Sequence, residues 1–438
     1  MKSEIKHRMT RRLNGWDYCQ RAIYSITVTL ADRSRPWLGH LVIAENGKPR
    51  NGAGNLVIAE NGEPRNGAGN LVLAENGEPR NAAGLPAQIC AGAEQARPSA
   101  TRSVAAHSCA AYISLTPFGE AVVEALLEMP RLYPQVRLIE WQVMPEHFHF
   151  IAFVVSPLPK PFGTLIRGFK AGAAKRWKAL AGTGEYPTWA DGFQDTILFR
   201  EGQLRAEIDY LHDNPRRLAE KRANPELFRR VAAVSLPLDG GRLIGRFEAM
   251  GNLSLLGRPL VQVQCSRRYF AYRRVPKSGP ITNGLKIARD SADNPIIEHT
   301  SPEYEAIKES VFAAASHGAV VISPCISDGE REIAREAMNR GFRIVAMRNM
   351  GFTPIQKPTG RLFDICAEGR LLLLAPAAWP HSTQEKPMTR FDATALNRIC
   401  QWFAGENAVE INYHGMTPSD VDRLAEEAVL AKRRPSGD

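Results

Sequence analysis

The sequence predicts an α+β protein: an antiparallel sheet with helices in the N-terminal half, then an α/β domain built on parallel strands. Three observations predict it. The 438 residues are 44% hydrophobic and 23% charged, enough apolar material for two or three cored domains. Over residues 1–230, strand-like segments lead into helical ones through links of hairpin length, as antiparallel sheets do. From about residue 245, short apolar runs alternate with helical stretches, the rhythm of a parallel sheet.

Residues 22–30 (Ala-Ile-Tyr-Ser-Ile-Thr-Val-Thr-Leu) alternate and are rich in β-branched side chains, which predicts a strand. A 15-residue unit opening Leu41-Val-Ile-Ala-Glu-Asn-Gly47 then recurs almost unchanged at 56–70 and 71–84. Each copy holds a short apolar run, an Asn-Gly turn signal and a proline that limits sheet pairing. Residues 38–105 therefore read as an expanded surface insertion, hairpin-like in places and partly disordered toward 86–105. The ordered pattern resumes at Ala111–Leu115. Pro117 and Glu120 open a helix to about Glu128, with Val122, Val123, Leu126 and Leu127 on its apolar side. Strands are expected over 136–143 and 147–155, joined by the tight Met144-Pro145-Glu146 turn, followed by a helix over 162–180 and a short strand over 196–199. A further helix runs from Gln203 to about Asp213, where Asn214-Pro215 is expected to stop it.

In the second half, 261–264, 319–323, 343–347 and 371–375 are buried-strand candidates, separated by helices over 302–316 and 329–340. The N-terminal domain is placed at 1–235 and the C-terminal one at 245–430, with the boundary near Leu236–Gly241. The segment Val320-Val-Ile-Ser-Pro-Cys-Ile-Ser-Asp-Gly-Glu330 puts a turn between a strand and a helix. Ser327 or Asp328 is suited to cap that helix, whose free N–H groups suit an anion; a plain strand–helix turn fits the same residues. Cys325 reads as a small buried residue, not a nucleophile.

Seven cysteines without a C-x-x-C pair argue against a disulfide framework and a cysteine zinc site. No apolar run approaches the ~18 residues of a membrane span, and no apolar segment follows the charged N-terminus. The expectation is a cytoplasmic protein with no membrane partner. Net charge is +10, and residues 1–230 carry 30 basic against 23 acidic side chains. That excess is compatible with a polyanionic partner and equally with a solvated surface.

Two elements carry chemistry. His147-Phe148-His149 lies on a predicted strand, where a period of two sends both imidazoles to one face and Phe148 and Phe150 to the other. Two such imidazoles are a ready pair for a divalent metal, although packed histidines on a half-buried strand fit the triplet as well. In Tyr210-Leu-His-Asp-Asn214-Pro-Arg-Arg217, positions 210 and 214 stand one helical turn apart, so a phenol and an amide project together. Arg216, Arg217, Lys221 and Arg222 follow and suit phosphates. The preceding helix carries Arg167, Lys170, Lys175, Arg176 and Lys178, with no acidic residue in it.

Together, Met144-Pro-Glu-His-Phe-His-Phe150, a basic helix, and Tyr210-Leu-His-Asp-Asn-Pro-Arg-Arg217 some sixty residues on resemble the single-tyrosine HUH transposases. The branch most resembled is the REP-associated tyrosine transposases. The resemblance covers roughly 20–230, interrupted by the repeats. The family usually has Asn where this chain has Glu146, which bears on how the loop or the metal shell is braced. It implies a ferredoxin-like sheet with helices, and for the second domain a Rossmann-like fold is the looser likeness. It also implies Tyr210 as nucleophile and a divalent metal, Mg²⁺ or Mn²⁺, held by His147, His149 and Asn214. The implied activity is nicking and rejoining of single-stranded, hairpin-bearing DNA through a 5′-phosphotyrosine bond, by a monomer or a homodimer. Arg167, Lys170, Lys175, Arg176, Lys178, Arg216 and Arg217 are the expected DNA contacts.

The rival reading is a domesticated protein that recognises repeated hairpins and no longer cuts. A small-molecule hydrolase is disfavoured, because Glu146 is the one nearby carboxylate suited to act as a base. Trp189, Phe193 and Asp195 are compatible with base stacking and more readily with core packing. His212 and Asp213 are expected to turn away from the nucleophile's face. His107, His317, His381 and His414 lack spaced partners.

Overall fold

The computed structural model describes residues 15–43, 57–58, 64–65, 111–265, 269–272, 274–276, 285–288, 296–353, 356–382, 388–405 and 415–430. Most of the expected repeat insertion, with His107, and also His414, lie outside these residues. The chain divides into two units, Met1–Arg222 and Ala223–Asp438. The division falls before the expected Leu236–Gly241 linker, because those residues belong to a strand pair of the second unit.

In the first unit the strands are β1 (Ala22–Thr29), β2 (Gly39–Ile43), the two-residue pair β3 (Val57–Ile58) and β4 (Pro64–Arg65), β5 (Ala111–Leu115), β6 (Val136–Val143), β7 (His147–Val154) and β8 (Gln194–Ile197). The helices are α1 (Pro117–Leu127), α2 (Met129–Leu132), α3 (Phe162–Ala181) and α4 (Gln203–Ala223). The main sheet has the order β6-β7-β1-β8, antiparallel throughout. With α1 between β1 and β6, and α3 between β7 and β8, its elements follow one another as β-α-β-β-α-β. The pair β2–β5 closes the base of the expected insertion.

Alternation decides what each sheet face meets. Tyr24, Ile26 and Val28 of β1, and Phe148, Phe150, Ala152 and Val154 of β7, are wholly buried in one core with residues of α1 and α3. A register shift between Leu138 and Glu140 keeps Trp141 and Val143 of β6 on that same side and leaves Glu140 on the other. The opposite face carries Ser25, Thr27, His149 and Glu140, and α4 covers it: Ser25 Oγ donates to Glu207 at 2.6 Å, and His212 meets Glu140 at 2.8 Å.

One local expectation is overturned. The helix does not stop at Asn214-Pro215; α4 continues to Ala223 with Pro215 inside it. Proline there removes the N–H that would bond the Leu211 carbonyl. Leu211, Asn214, Pro215 and Ala219 are all buried along one side, so tertiary burial offsets the local penalty.

The second unit holds β9 (Arg230–Leu238), β10 (Leu243–Gly251), β11 (Leu260–Gln262), β12 (Phe270–Tyr272), β13 (Arg274–Pro276), β14 (Leu285–Ile287), β15 (Ile297–Thr300), β16 (Val320–Ser323), β17 (Ile344–Met347) and β18 (Leu371–Pro376). Its six-stranded sheet runs β11-β16-β17-β18-β10-β9, with the first four strands parallel and the last two antiparallel. Helices α5 (Pro302–Ser316), α6 (Asp328–Asn339) and α7 (Arg361–Ala367) contribute to one apolar core, and α8 (Arg390–Ala404) and α9 (Pro418–Val429) to another. Ser327 caps α6 in a reciprocal box with Glu330, whose carboxylate also accepts from the amides of Ile326 and Cys265. A carboxylate of the chain itself thus occupies the turn considered for an anion. Burial pushes the Cys325 thiol up to about 11, which leaves it unreactive. The whole molecule is mixed α+β, and no helix among the described residues is long and apolar enough to cross a membrane.

Candidate active site

The site starts from strand pairing. β7 lies between β6 and β1, and its register sets Thr27 opposite His149 and Thr29 opposite His147. Thr27 Oγ1 is 2.8 Å from His149 Nδ1. Burial first, and then the charge of His147, bring the His149 pKa down to about 3, so the ring is neutral at physiological pH. When Nδ1–H donates to Thr27, the lone pair stands on Nε2.

His147 is oriented by its chain neighbour. Its Nδ1 is 3.1 Å from Glu146 Oε1. Burial pulls the Glu146 carboxyl up, but the His147 hydrogen bond and charge, with Arg33 beyond, outweigh it and hold the group below the usual carboxylate range. An ionised carboxylate only accepts, so His147 has a proton on Nδ1, toward Glu146, and its Nε2 is the atom left to face a ligand. Glu146 is thus the brace of the first histidine. The two rings stand edge to face, 4.7 Å between centroids.

α4 brings the second element onto the same face. The Tyr210 ring lies 6.2 Å from that of His149 and remains 40% exposed. Burial raises the phenol's pKa, and Arg217, its guanidinium 5.4 Å from the ring centroid, acts the other way without cancelling the rise. Asn214 is buried, and its Nδ2 has no hydrogen-bond partner among the described residues. A buried amide with one terminus unsatisfied costs about 1–3 kcal/mol, which a bound group can relieve. Half a turn of the amide exchanges its oxygen and nitrogen, placing an acceptor where the orphan stands.

The donor set is thus two imidazoles and one amide. No group of three or more His, Cys, Asp or Glu side chains suited to a metal occurs among the described residues, so a metal here depends on Asn214 as third ligand. Neutral nitrogen and oxygen donors suit Mn²⁺ or Mg²⁺ and add no negative charge to repel a phosphate.

The expected DNA contacts divide. α3 packs on the opposite sheet face, its Phe169 ring 5.8 Å from Phe148 and 5.9 Å from Phe150, so its cations are not brought beside Tyr210. Arg167, Lys175 and Lys178 are exposed. Lys170 donates to the carbonyls of Ala190 and Gly192, at 2.6 and 2.8 Å. Arg176 pairs with Glu124 of α1 and with Glu128 at its C-cap. Arg216 and Arg217 both pair with Asp213. Trp189 packs against Phe169 and Trp177 in the core of the first unit.

Thr27, Glu140, Ser25 and Glu207 were not legible as site residues. Ser25, Thr27 and Thr29 are the polar half of an alternating strand, which was the available signal. His212, left without a role in the sequence, meets Glu140 of β6.

No family model matches the chain, and no curated protein matches it. One solved structure similar to it is "Structure of the REP associates tyrosine transposase bound to a REP hairpin". It is 13% identical, covers 47% of this chain and 73% of the other, and superposes with a TM-score of 0.23, below the range of a shared fold.

Proposed function

We propose that the first unit is a metal-assisted DNA transposase or endonuclease that cleaves and rejoins single-stranded, hairpin-bearing DNA through Tyr210. The observation that carries this reading is the convergence on one sheet face of His147 and His149 from β7 with Tyr210 and Asn214 from α4. The β-α-β-β-α-β succession supports a ferredoxin-like sheet of the HUH kind beneath them.

In the proposed reaction Tyr210 Oη attacks a backbone phosphorus and the bond from phosphorus to the 3′ oxygen breaks. The phenol loses its proton, the leaving oxygen gains one as a 3′-hydroxyl, and the strand end stays on Tyr210 as a 5′-phosphotyrosine. One ester replaces another, so a later 3′-hydroxyl can reverse the exchange. A phenol with a pKa above 10 is a weak nucleophile, so its proton must be drawn off during attack. Arg217 at the ring favours the phenolate, and Asn214 stands one helical turn from Tyr210 on α4. His147, His149 and Asn214 would hold a Mg²⁺ or Mn²⁺ ion, which supplies charge stabilisation to the phosphoryl oxygens. The pairs Ser25–Glu207 and Glu140–His212 hold α4 to the sheet on either side of Tyr210 in sequence.

The test is purified protein with Mn²⁺ and labelled hairpin DNA, resolved under denaturing conditions. Scission with a protein-linked fragment is expected. Binding without either product would support the rival, a non-cutting reader of repeated DNA.

A further inference from the structure

We propose that a two-part cleft beside the Pro145-Glu146 turn binds one unpaired nucleotide of the DNA strand, its phosphate in a cationic pocket and its base in an adjoining apolar one. The cationic pocket, about 170 Å³, is formed by the 33–36 loop, His40 and Leu41 of β2, Pro145, Glu146 and Arg222 at the end of α4. Three guanidinium groups face one carboxylate there. Arg33 approaches Glu146 only at 3.9 Å and is 63% exposed. Arg222 is exposed and makes no ion pair among the described residues. Two weakly committed guanidinium groups in one small pocket match a phosphodiester, which offers each an anionic oxygen. Arg35 is already paired with Asp32 and Glu185 and serves as wall.

The second pocket, about 350 Å³, shares Arg35, Pro36 and His40 with the first and is completed by Trp37, Thr116, Pro117 and Phe118. Its volume lies near the lower end for small-molecule pockets, about 300 Å³ and upward. Trp37 and Phe118 meet edge to face at 5.8 Å, and Arg35 lies 5.4 Å over the Trp37 ring. A charged pocket and an aromatic one with a common wall fit a nucleotide whose base is unstacked, as in a single strand, and not a paired one. Glu146 joins the cleft to the site: it lines the cationic pocket and holds His147. The cleft would thereby set which nucleotide of a flank stands next to Tyr210.

This inference rests on the single-strand DNA reading, so it is tested by binding alone, in full-length protein carrying Tyr210→Phe. Anisotropy is measured with a hairpin bearing a single-stranded flank and with the bare hairpin. The double variant Arg33→Ala/Arg222→Ala, at exposed positions, is expected to weaken the flanked hairpin about tenfold and to reduce the salt slope by about one, leaving the bare hairpin unchanged. An abasic scan of the flank should find one position where losing the base costs about tenfold, and Trp37→Ala should abolish that sensitivity. Equal weakening on both DNAs, or a flat scan, overturns the cleft. Normal adduct formation by the wild type alongside a flat scan overturns the cleft alone. No adduct alongside the expected scan overturns the chemistry and leaves the cleft standing.

Discussion

The rings of His149 and Tyr210, one on a strand and one on a helix, stand nearly perpendicular with centroids 6.2 Å apart. The proposed nucleophile and a proposed metal ligand are therefore neighbours through tertiary packing of α4 on the β7 face. Tyr210→Phe removes only the hydroxyl at a 40%-exposed position, so folding and hairpin affinity should hold. Covalent adduct should fall to background on a denaturing gel. Adduct persisting in this variant would remove Tyr210 as nucleophile.

Asn214→Ala separates a ligand from a structural residue. Because α4 runs through this position, the change deletes no helix stop. It removes the orphaned amide, and the melting temperature should move little. The Mn²⁺ dependence of cleavage should shift by about tenfold. An unmoved titration would strike Asn214 from the metal set.

His149 gives the metal-free protein an acid-side dependence. Its folded pKa of about 3 lies below the ~6.5 of an unfolded histidine. Between those values the unfolded chain binds the extra proton, so the contribution is complete above about pH 6.5 and declines as pH falls toward about 3. The slope from this group is about 1.4 kcal/mol per pH unit. Urea titrations of chelator-treated protein between about pH 4 and 7 should show it, and His149→Gln should flatten it.

His212 acts with the opposite sign. Its hydrogen bond to Glu140 raises its pKa, against a smaller lowering by burial. The stabilisation is full below about pH 6.5 and is lost as pH rises through the raised value. With the imidazole half exposed the effect is small, and His212→Gln should remove it from a melting series taken across neutral pH. The same variant should slow adduct formation if the grip positions Tyr210.

Local patterns were legible wherever one periodicity ruled. The alternation of 22–30 and the His-Phe-His triplet gave strands and faces, and the described bounds of β1, β6 and β7 lie within a residue of those expected. Pro215 misled because its cost is local, whereas the burial of Leu211, Asn214 and Ala219 along the same side of α4 is tertiary. Thr27 and Glu140 were invisible as partners, since register and a bulge decide which residue meets His149 or His212. The basic helix looked unopposed because Glu124 and Glu128, which neutralise Arg176, stand in α1 and at its C-cap.

The alternation of β7 has a consequence for how this chain tolerates inheritance. Odd positions 147 and 149 carry the proposed metal ligands and even positions 148 and 150 the core, so a point substitution can damage either without touching the other. A one-residue slip of the strand forfeits both together, driving imidazoles into the apolar layer and phenylalanines under Tyr210. Lineages carrying this strand should therefore tolerate insertions in it even less than single replacements. The thrice-copied segment between β2 and β5 shows where added length was accommodated instead.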